Sequence, residues 1–424
     1  MRKKLWLAAA VLSATVLAAY WLWPRGAETR WFKNQAYNYQ TLRTLGEGVH
    51  GGSDPGEVLA AIRDIRQGDD ESWFRGWSGL AKQVEDGAEN WRDPVSRGQA
   101  RLRAANYYRT AEFFLPPTDS RRAEVFNRGV ANFEQSLKEL GIKNDVSSIP
   151  YENGMLRSTY YPGGKDFAAR PLLLVHGGFD STEEELYFLV VAAALERGFS
   201  CLTFTGPGQG SALREHGLRF TPEWEKPTGA ILDDFIAKHG RPEKIVLIGI
   251  SLGGYLAPRA AAFDSRIDGV VAHNVCFDFR ESALKQMPGW VRSLYENGFT
   301  GLVNNLMKLK MKIDPGLRWG VRNAEWTMGA KSPAEVPALF DQYNLADEAA
   351  KITGDVLITA GEKDHFFPVE QVAEFQKALV NARSVTSRVF TEQEGGHEHC
   401  QTGALKLFHA VLFDWIEAKF GDAR

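Results

Sequence analysis

Cysteine is scarce in this sequence, and neither sign of charge is in large excess. Cys201, Cys276 and Cys400 stand far apart among 424 residues, which argues against a disulfide-rich scaffold and against a zinc site of ordinary ligand spacing. The 50 basic and 53 acidic side chains leave a formal net charge of -3, which is not the charge of a nucleic-acid-binding surface. We therefore expect no metal, no cofactor and no nucleic-acid partner.

The sequence also lacks internal repeats and low-complexity tracts. Hydrophobic residues make up 44% of the chain and aromatic residues 12%, as in an ordinary globular protein. At roughly 150 residues per domain, the length allows two or three structural units with a buried core. Disordered and collagen-like classes are thus excluded.

One stretch near the N-terminus, from Leu5 to Trp23, carries no charge. A helix of that length rises about 28 Å, close to the roughly 30 Å of a bilayer's hydrocarbon core. Arg2, Lys3 and Lys4 precede it, and the positive-inside rule then leaves the N-terminus in the cytosol. We expect residues 1–24 to be a transmembrane anchor, with the rest of the chain on the periplasmic or extracellular side.

A cleaved signal peptide is the alternative for the same residues. Val16-Leu17-Ala18 offers a small-residue cleavage site, and cleavage would release a secreted protein. The apolar run is longer than a usual signal-peptide core, however, and its end contains Tyr20, Trp21 and Trp23. Aromatic residues suit a membrane interface better than a peptidase site, so the anchor is favoured.

The next part of the chain shows helical periodicity up to about Asn144. Apolar residues between Phe126 and Leu140 recur at steps of three and four, which predicts a helix from Thr118 to Leu140. Asn153-Gly154 then gives a strong signal for a two-residue β-hairpin. The predicted division of the chain is 1–24 for the anchor or signal segment, 30–145 for a helical N-terminal cap domain, 146–276 for the first part of an α/β core, 277–350 for an inserted helical lid, and 351–424 for the second part of the core.

Apolar strands separated by helical segments follow the hairpin, and this pattern predicts a mostly parallel sheet covered on both faces. The predicted strands are 171–176, 199–205, 244–250, 269–275, 355–360 and 385–391. The aromatic-rich, mostly helical stretch after the fourth of these interrupts the alternation. We interpret it as a lid inserted in a doubly wound α/β domain.

Gly249-Ile250-Ser251-Leu252-Gly253 is the motif that first indicates chemistry. Ser251 directly follows an apolar strand and directly precedes a helix, which is the tight turn that lifts a nucleophilic serine above a sheet. Glycines flank the serine because such a strained turn leaves little room for a Cβ atom. The sequence therefore predicts Ser251 as a nucleophile.

A serine nucleophile needs a base and an acid that orients the base. Asp364 follows the strand 355–360 and is the predicted acid, with Asp278 as the second choice. Two histidines, His397 and His399, follow the last strand. The spacing alone leaves either of them as the base, and the order Ser, Asp, His is the one expected when the serine occupies such a turn.

The oxyanion formed by serine attack requires backbone N–H donors. The N–H of Leu252 is one predicted donor. The other is expected from the turn after the first parallel strand, where Gly178 or Phe179 offers its N–H. A second glycine-rich turn, Gly206-Pro207-Gly208-Gln209-Gly210, lacks the Lys-Ser/Thr of a phosphate loop, so we expect it to be a rigid loop lining the site.

Together these motifs resemble the α/β-hydrolase fold family, in particular the branch related to 2,6-dihydroxypseudooxynicotine hydrolase. The resemblance rests on His-Gly-Gly-Phe-Asp at 176–180, Gly-Pro-Gly-Gln-Gly at 206–210, Gly-Ile-Ser-Leu-Gly-Gly-Tyr at 249–255 and Glu-His-Cys at 398–400. It covers about Asn90 to the end of the chain. It implies a Ser, Asp, His triad and favours His399 over His397 as the base, while Thr205 departs from the aspartate that relatives often carry.

The predicted function is that of a serine hydrolase cleaving an ester or related acyl bond. The predicted lid and helical domain are rich in tryptophan, which favours an apolar or aromatic small-molecule substrate. These tryptophans include Trp73, Trp77, Trp91, Trp290, Trp319 and Trp326. Hydrolysis of a carbon-carbon bond next to a ketone, by the same residues, is one alternative. A membrane-tethered binding protein without turnover is the other. The sequence leaves the oligomeric state open, including a homo-oligomer.

Overall fold

The computed structural model describes residues 31–164 and 170–421. The predicted anchor or signal segment, residues 1–24, lies outside these ranges. Within the two ranges, none of the helices is both long enough and apolar enough to cross a bilayer.

The described chain begins with a helical unit packed around aromatic side chains. Its first four helices are each preceded by an Asn or Asp side chain that accepts a hydrogen bond from a backbone N–H of the first turn. Tyr37, Trp73 and Trp77 are fully buried in its core. The helices are α1 (Gln35–Gly46), α2 (Pro55–Ile62), α3 (Asp70–Ala88), α4 (Pro94–Glu112) and α5 (Arg121–Glu139).

An eight-stranded sheet follows, with the strand order β1-β2-β4-β3-β5-β6-β7-β8. The strands are β1 (Asp145–Tyr151), β2 (Gly154–Tyr161), β3 (Leu172–His176), β4 (Cys201–Thr205), β5 (Ile245–Ile250), β6 (Gly269–His273), β7 (Asp355–Gly361) and β8 (Ser384–Phe390). β1 and β2 form an antiparallel hairpin, as Asn153-Gly154 predicts, and β2 is also antiparallel to β4. The remaining pairs are parallel, so the sheet is mostly parallel.

Helices cover both faces of the sheet. Every residue of β3, β4, β5, β6 and β7 is buried, and separate apolar clusters lie on the two faces. The covering helices are α6 (Glu183–Leu186), α7 (Ala192–Leu195), α8 (Gly210–Arg214), α9 (Glu225–His239), α10 (Gly253–Phe263), α16 (Gln371–Ala378) and α17 (Leu405–Phe420). A π-helical segment, Tyr187–Val191, joins α6 to α7.

The lid is a helical excursion that leaves the sheet after β6 and returns at β7. Its helices are α11 (Phe279–Lys285), α12 (Gly289–Glu296), α13 (Thr300–Met311), α14 (Pro315–Thr327) and α15 (Val336–Phe340). Val291, Val303 and Met307 form a small apolar cluster of their own within it. Because the excursion starts at the carboxyl end of β6, the lid lies over the edge of the sheet where the predicted site residues collect.

Candidate active site

Ser251 occupies a sharp turn between β5 and α10. Its φ angle is 64°, a left-handed backbone conformation that is strained for a residue with a side chain. The turn is tight because a Cβ atom at Gly249 would lie 2.0 Å from the carbonyl oxygen of Gly253, and one at Gly254 would lie 2.1 Å from that of Asn274. The glycines therefore permit a backbone path that holds the Ser251 hydroxyl above the sheet.

Three predicted site residues form a chain of hydrogen bonds at this turn. His399 Nε2 is 2.8 Å from Ser251 Oγ, and His399 Nδ1 is 2.7 Å from Asp364 Oδ2. Asp364 lies in the loop after β7, and His399 lies in a 3₁₀ turn between β8 and α17. The structure thus brings Ser251, Asp364 and His399 together from three separate loops at the carboxyl edge of the sheet.

The two alternative residues lie elsewhere. His397 is buried, its Nε2 atom is 4.0 Å from Glu398, and it makes no hydrogen bond to Ser251. Asp278 caps α11, where its carboxylate accepts hydrogen bonds from the Glu281 N–H and the Asn344 amide. Neither side chain belongs to the hydrogen-bond chain at the serine.

The carboxylate of Asp364 is buried and accepts hydrogen bonds at both oxygens. Its Oδ1 accepts from the N–H groups of Phe366 at 2.7 Å and Phe367 at 3.1 Å. Its Oδ2 accepts from His399 and from the amide of Asn274. Burial acts to raise the pKa of Asp364, but the charge and hydrogen bond of His399 and the backbone donor outweigh it and hold the pKa below its ordinary value. The carboxylate therefore stays ionised and fixes the imidazole.

Asn274 is a member of this site that the sequence analysis missed. It directly follows β6 with a φ angle of 58°, and its side-chain oxygen accepts a hydrogen bond of 3.0 Å from Gln401 Nε2. Its amide can then donate to Asp364 in a fixed orientation. The available signal was its position near the carboxyl end of the predicted strand 269–275.

The predicted oxyanion donors lie around the serine. Gly178 packs so closely against the turn that a Cβ atom there would lie 2.5 Å from the backbone nitrogen of Leu252. Among the residues the structure describes, none accepts a hydrogen bond from the N–H of Leu252, Gly178 or Phe179. These N–H groups are therefore available to a negatively charged oxygen at Ser251.

We call residues 177–180 the oxyanion loop, and two amide side chains hold its carbonyl groups. Gln209 Nε2 donates to the carbonyl oxygens of Gly177 and Gly178, each at 2.9 Å. Asn323, on the lid helix α14, donates to the carbonyl oxygen of Phe179 at 2.8 Å. The turn at 206–210, which the sequence predicts only as a rigid lining loop, thus fixes the oxyanion loop directly.

A charged cluster supports the other side of the oxyanion loop. It consists of Arg43, Glu47, Arg109, Asp180 and Glu185, all largely buried. Arg43, from α1, pairs with Asp180 at 2.7 Å and also with Glu185. Burial, together with the nearby Glu185, raises the pKa of Glu47 to about 7, even though Arg109 acts to lower it.

A cavity of about 300 Å³ opens onto Ser251 and His399. Its wall is largely apolar and comes from the helical unit, the oxyanion loop, the lid and the loop after β7. The aromatic side chains lining it are Tyr39, Phe113, Phe179, Phe279, Trp319, Phe340, Phe366 and Phe367. Such a wall suits an apolar or aromatic small molecule.

The described residues hold no group of three or more His, Cys, Asp or Glu side chains arranged to bind a metal ion. The three cysteines are buried and unpaired. Burial raises the pKa of Cys201, Cys276 and Cys400, so these thiols are poor nucleophiles. The Ser251 hydroxyl, in contrast, lies at the cavity beside His399.

Comparison with known proteins agrees with this architecture. A solved structure of 2,6-dihydroxy-pseudo-oxynicotine hydrolase superposes with a TM-score of 0.68 over 89% of this chain and 95% of its own, at 20% sequence identity. At that identity the likeness shows the fold. The sequence motifs indicate the same branch of hydrolases.

Curated relatives match at higher identity. Hydrolase acrC of Aspergillus aculeatus is 34% identical over 92% of this chain and 98% of its own length. The 20-hydroxy-prefusarin hydrolase FUS2 of Gibberella moniliformis is 31% identical over 93% and 98%. Matches this long include part of the first ninety residues, which the motifs alone leave outside the resemblance.

The family model of the alpha/beta hydrolase fold matches residues 170–403, more than half of the chain. The chain therefore belongs to the alpha/beta hydrolase family, and it is a hydrolase.

Proposed function

We propose that this enzyme cleaves an ester or related acyl bond with Ser251 as the nucleophile. The proposal rests on the hydrogen-bond chain from Ser251 through His399 to Asp364, in which both distances are below 3 Å. This is the arrangement in which a neutral imidazole can take the proton of a serine hydroxyl while a carboxylate stabilises the imidazolium that forms.

The reaction runs in two halves. Ser251 Oγ bonds to the substrate carbonyl carbon, its proton moves to His399 Nε2, and the carbonyl oxygen becomes an oxyanion bound by the N–H groups of Leu252 and Phe179 or Gly178. The tetrahedral intermediate expels the alcohol, which takes the proton from His399. Water then attacks the acyl-enzyme with His399 again as the base, and the acid product leaves while Ser251 regains its proton.

The substrate class follows from the cavity. Its aromatic wall favours an apolar or aromatic group next to the scissile bond, and its volume of about 300 Å³ is that of a small-molecule site. The ion-paired state of Arg43 removes a ready partner for a substrate anion, because Asp180 and Glu185 already neutralise it. A neutral acyl compound therefore fits better than a charged peptide.

The test is covalent labelling by a fluorophosphonate probe. Wild-type protein should be labelled at Ser251, since a base-activated serine beside free N–H donors attacks phosphorus as it attacks a carbonyl carbon. Ser251→Ala should abolish labelling. Ser282→Ala is the matched control, because Ser282 also lines the cavity but its hydroxyl donates to a backbone carbonyl group, and it should label like wild type.

A substrate panel then separates the reaction types. Aryl esters of graded acyl length should be hydrolysed faster than aryl ketones and aminoacyl amides. Faster turnover of ketones would replace the ester proposal with carbon-carbon bond hydrolysis. An unlabelled wild-type protein, next to a control hydrolase that reacts, would instead favour a binding protein without turnover.

A further inference from the structure

The lid helix α13 carries an exposed apolar stripe. Phe299, Leu302, Leu309 and Ile313 are between 46% and 57% exposed, and the half-buried Leu306 lies between them. Leu302, Leu306 and Leu309 lie within α13 and, at 3.6 residues per turn, fall within an arc of about 60°. Phe299 directly precedes the helix, and Ile313 lies two residues after its end. Large exposed side chains scattered singly need no explanation, but a continuous row along one helix marks an interaction surface. We call this row the lid stripe.

The neighbouring face of the same helix belongs to the substrate cavity. Met307 and Lys310 are buried and line that cavity, and Val303 packs in the core of the lid. By helical geometry these three residues lie about 60° to 120° around the axis from the centre of the stripe. Helix α13 therefore contributes both to the cavity wall and to the lid stripe.

Two lysines flank the lid stripe along one side. Lys308 and Lys312 are exposed, and within the described ranges neither forms an ion pair with an acidic side chain. By helical geometry Lys312 lies roughly 100° and Lys308 roughly 140° around the axis from the centre of the stripe. An apolar strip edged by lysines is the pattern of a helix that lies in the interface of an anionic bilayer.

We propose that the lid stripe docks on an anionic lipid surface, with helix α13 lying along the membrane. The position of the described N-terminus agrees with this. The side chain of Ala36 lies 3.3 Å from the ideal Cβ position of Gly316, so the start of α1 packs beside the lid, at the start of α14. The uncharged run Leu5–Trp23 ends eight residues before Trp31, a stretch that spans at most about 28 Å.

A second copy of this chain is the main rival occupant. A two-fold interface would use the same stripe on both copies. The stripe is edged by Lys308 and Lys312, so such a dimer would bring four lysines close together, and like charges facing each other disfavour association. Anionic lipid headgroups pair with those lysines instead. The charge of the surface therefore favours the membrane.

The experiment measures the depth of the stripe in a bilayer, using the full chain. Leu302→Cys and Leu309→Cys each receive a nitroxide label, and labelling is selective because the native cysteines are buried. The accessibility of each label to oxygen and to a water-soluble nickel chelate is compared with and without vesicles of mixed phosphatidylcholine and phosphatidylglycerol. Val380→Cys is the control, since Val380 is 70% exposed and precedes β8. It therefore lies at the amino ends of the parallel strands, whereas the lid lies at their carboxyl ends.

With vesicles, we expect both stripe labels to become several-fold more accessible to oxygen than to the chelate, while the label at Val380 does not change. Labels at the stripe that remain in water on vesicle-bound protein would overturn the proposal, because the N-terminal run alone would then account for binding. Labels immobilised before vesicles are added would overturn it in favour of a second copy.

A charge reversal tests the basic edge. The Lys308→Glu, Lys312→Glu double variant should lose most of the insertion seen with phosphatidylglycerol. Unchanged insertion would contradict a surface that recognises anionic lipid. These measurements report the position of the lid and not turnover, so their failure would leave the proposed hydrolysis untouched.

Discussion

The oxyanion loop is held from two sides by different interactions. On one side, which we call the core side, Gln209 of the α/β core and Asn323 of the lid donate neutral amide hydrogen bonds to its carbonyl groups. On the side of the helical unit, Arg43 holds the Asp180 carboxylate within the buried charged cluster. Amide hydrogen bonds fix backbone geometry at any pH, because amides do not titrate. The charge of the buried cluster changes with pH, because the pKa of Glu47 is raised to about 7. We therefore expect the core side to set reactivity and the helical side to couple the two units.

The largest effect is expected when the His399 side chain is removed from the core side. His399→Ala should lower kcat by about 10³-fold or more, because it removes one member of a catalytic unit. His397→Ala should lose much less, since His397 makes no hydrogen bond to Ser251. Steady-state kinetics on the two variants, matched for folding stability, provides the comparison. A larger loss at His397 would reverse the assignment of the base and leave the serine hydrolase proposal in place.

A smaller effect is expected when the oxyanion loop is released on the core side. Gln209→Met keeps the side-chain volume but removes both hydrogen bonds to the loop. Losing an oxyanion donor outright costs about 10²- to 10³-fold in kcat, so loosening the donors should cost about 10- to 100-fold, with a smaller change in KM. The rate of fluorophosphonate labelling should fall in parallel.

The matched control is Gln371→Met. Gln371 is another buried glutamine that holds a loop by hydrogen bonds, here the start of the lid at Phe277 and Asp278. Gln371→Met should lower the free energy of unfolding about as much as Gln209→Met does, while leaving kcat closer to the wild-type value. Equal losses of kcat in the two variants would mean that Gln209 acts through general stability and not through the oxyanion loop.

The smallest effect is expected in the charged cluster, as a change in how the free energy of unfolding depends on pH. Glu47 has a pKa raised from its ordinary value of 4.5 to about 7, so the folded state binds its proton more tightly than the unfolded state. The contribution to the free energy of unfolding is then fully present below pH ~4.5 and is lost as the pH rises toward ~7. Glu47→Gln should flatten this decline, as measured by urea unfolding across that range.

Glu184 provides the check on that interpretation. Burial and the neighbouring Glu183 raise its pKa to about 7 as well, so Glu184→Gln should remove a further part of the slope. The two substitutions should act additively if the groups titrate independently. An unchanged slope in Glu47→Gln would show that its carboxyl group does not retain a proton in the folded protein.

The reactive groups of the core side could be predicted because each follows a strand. Ser251, Asp364 and a histidine after β8 are placed at one edge by the parallel sheet alone. The choice between His397 and His399 could not be made from spacing, because the path of the loop after β8, with left-handed conformations at Gly395, Cys400 and Gln401, cannot be read from the sequence. The last helix begins after this loop, at Leu405.

The helical side could not be predicted in the same way. Its helices follow from periodicity, yet the pairing of Arg43 with Asp180 joins residues 137 positions apart. No local pattern specifies such a contact, because a charged residue on an amphipathic helix usually faces solvent. Gln209 was missed for a related reason: its role depends on the path of a neighbouring loop.

The lid begins after β6 and ends before β7, and these two strands are hydrogen-bonded neighbours that pair Val270 with Val356. An insertion between adjacent parallel strands can lengthen, shorten or be replaced during evolution without changing the order of the strands. Ser251 and its partners would keep their positions through such changes, because they are attached to the strands and not to the lid. The lid can therefore reshape the cavity wall while the three side chains at the sheet edge keep their positions.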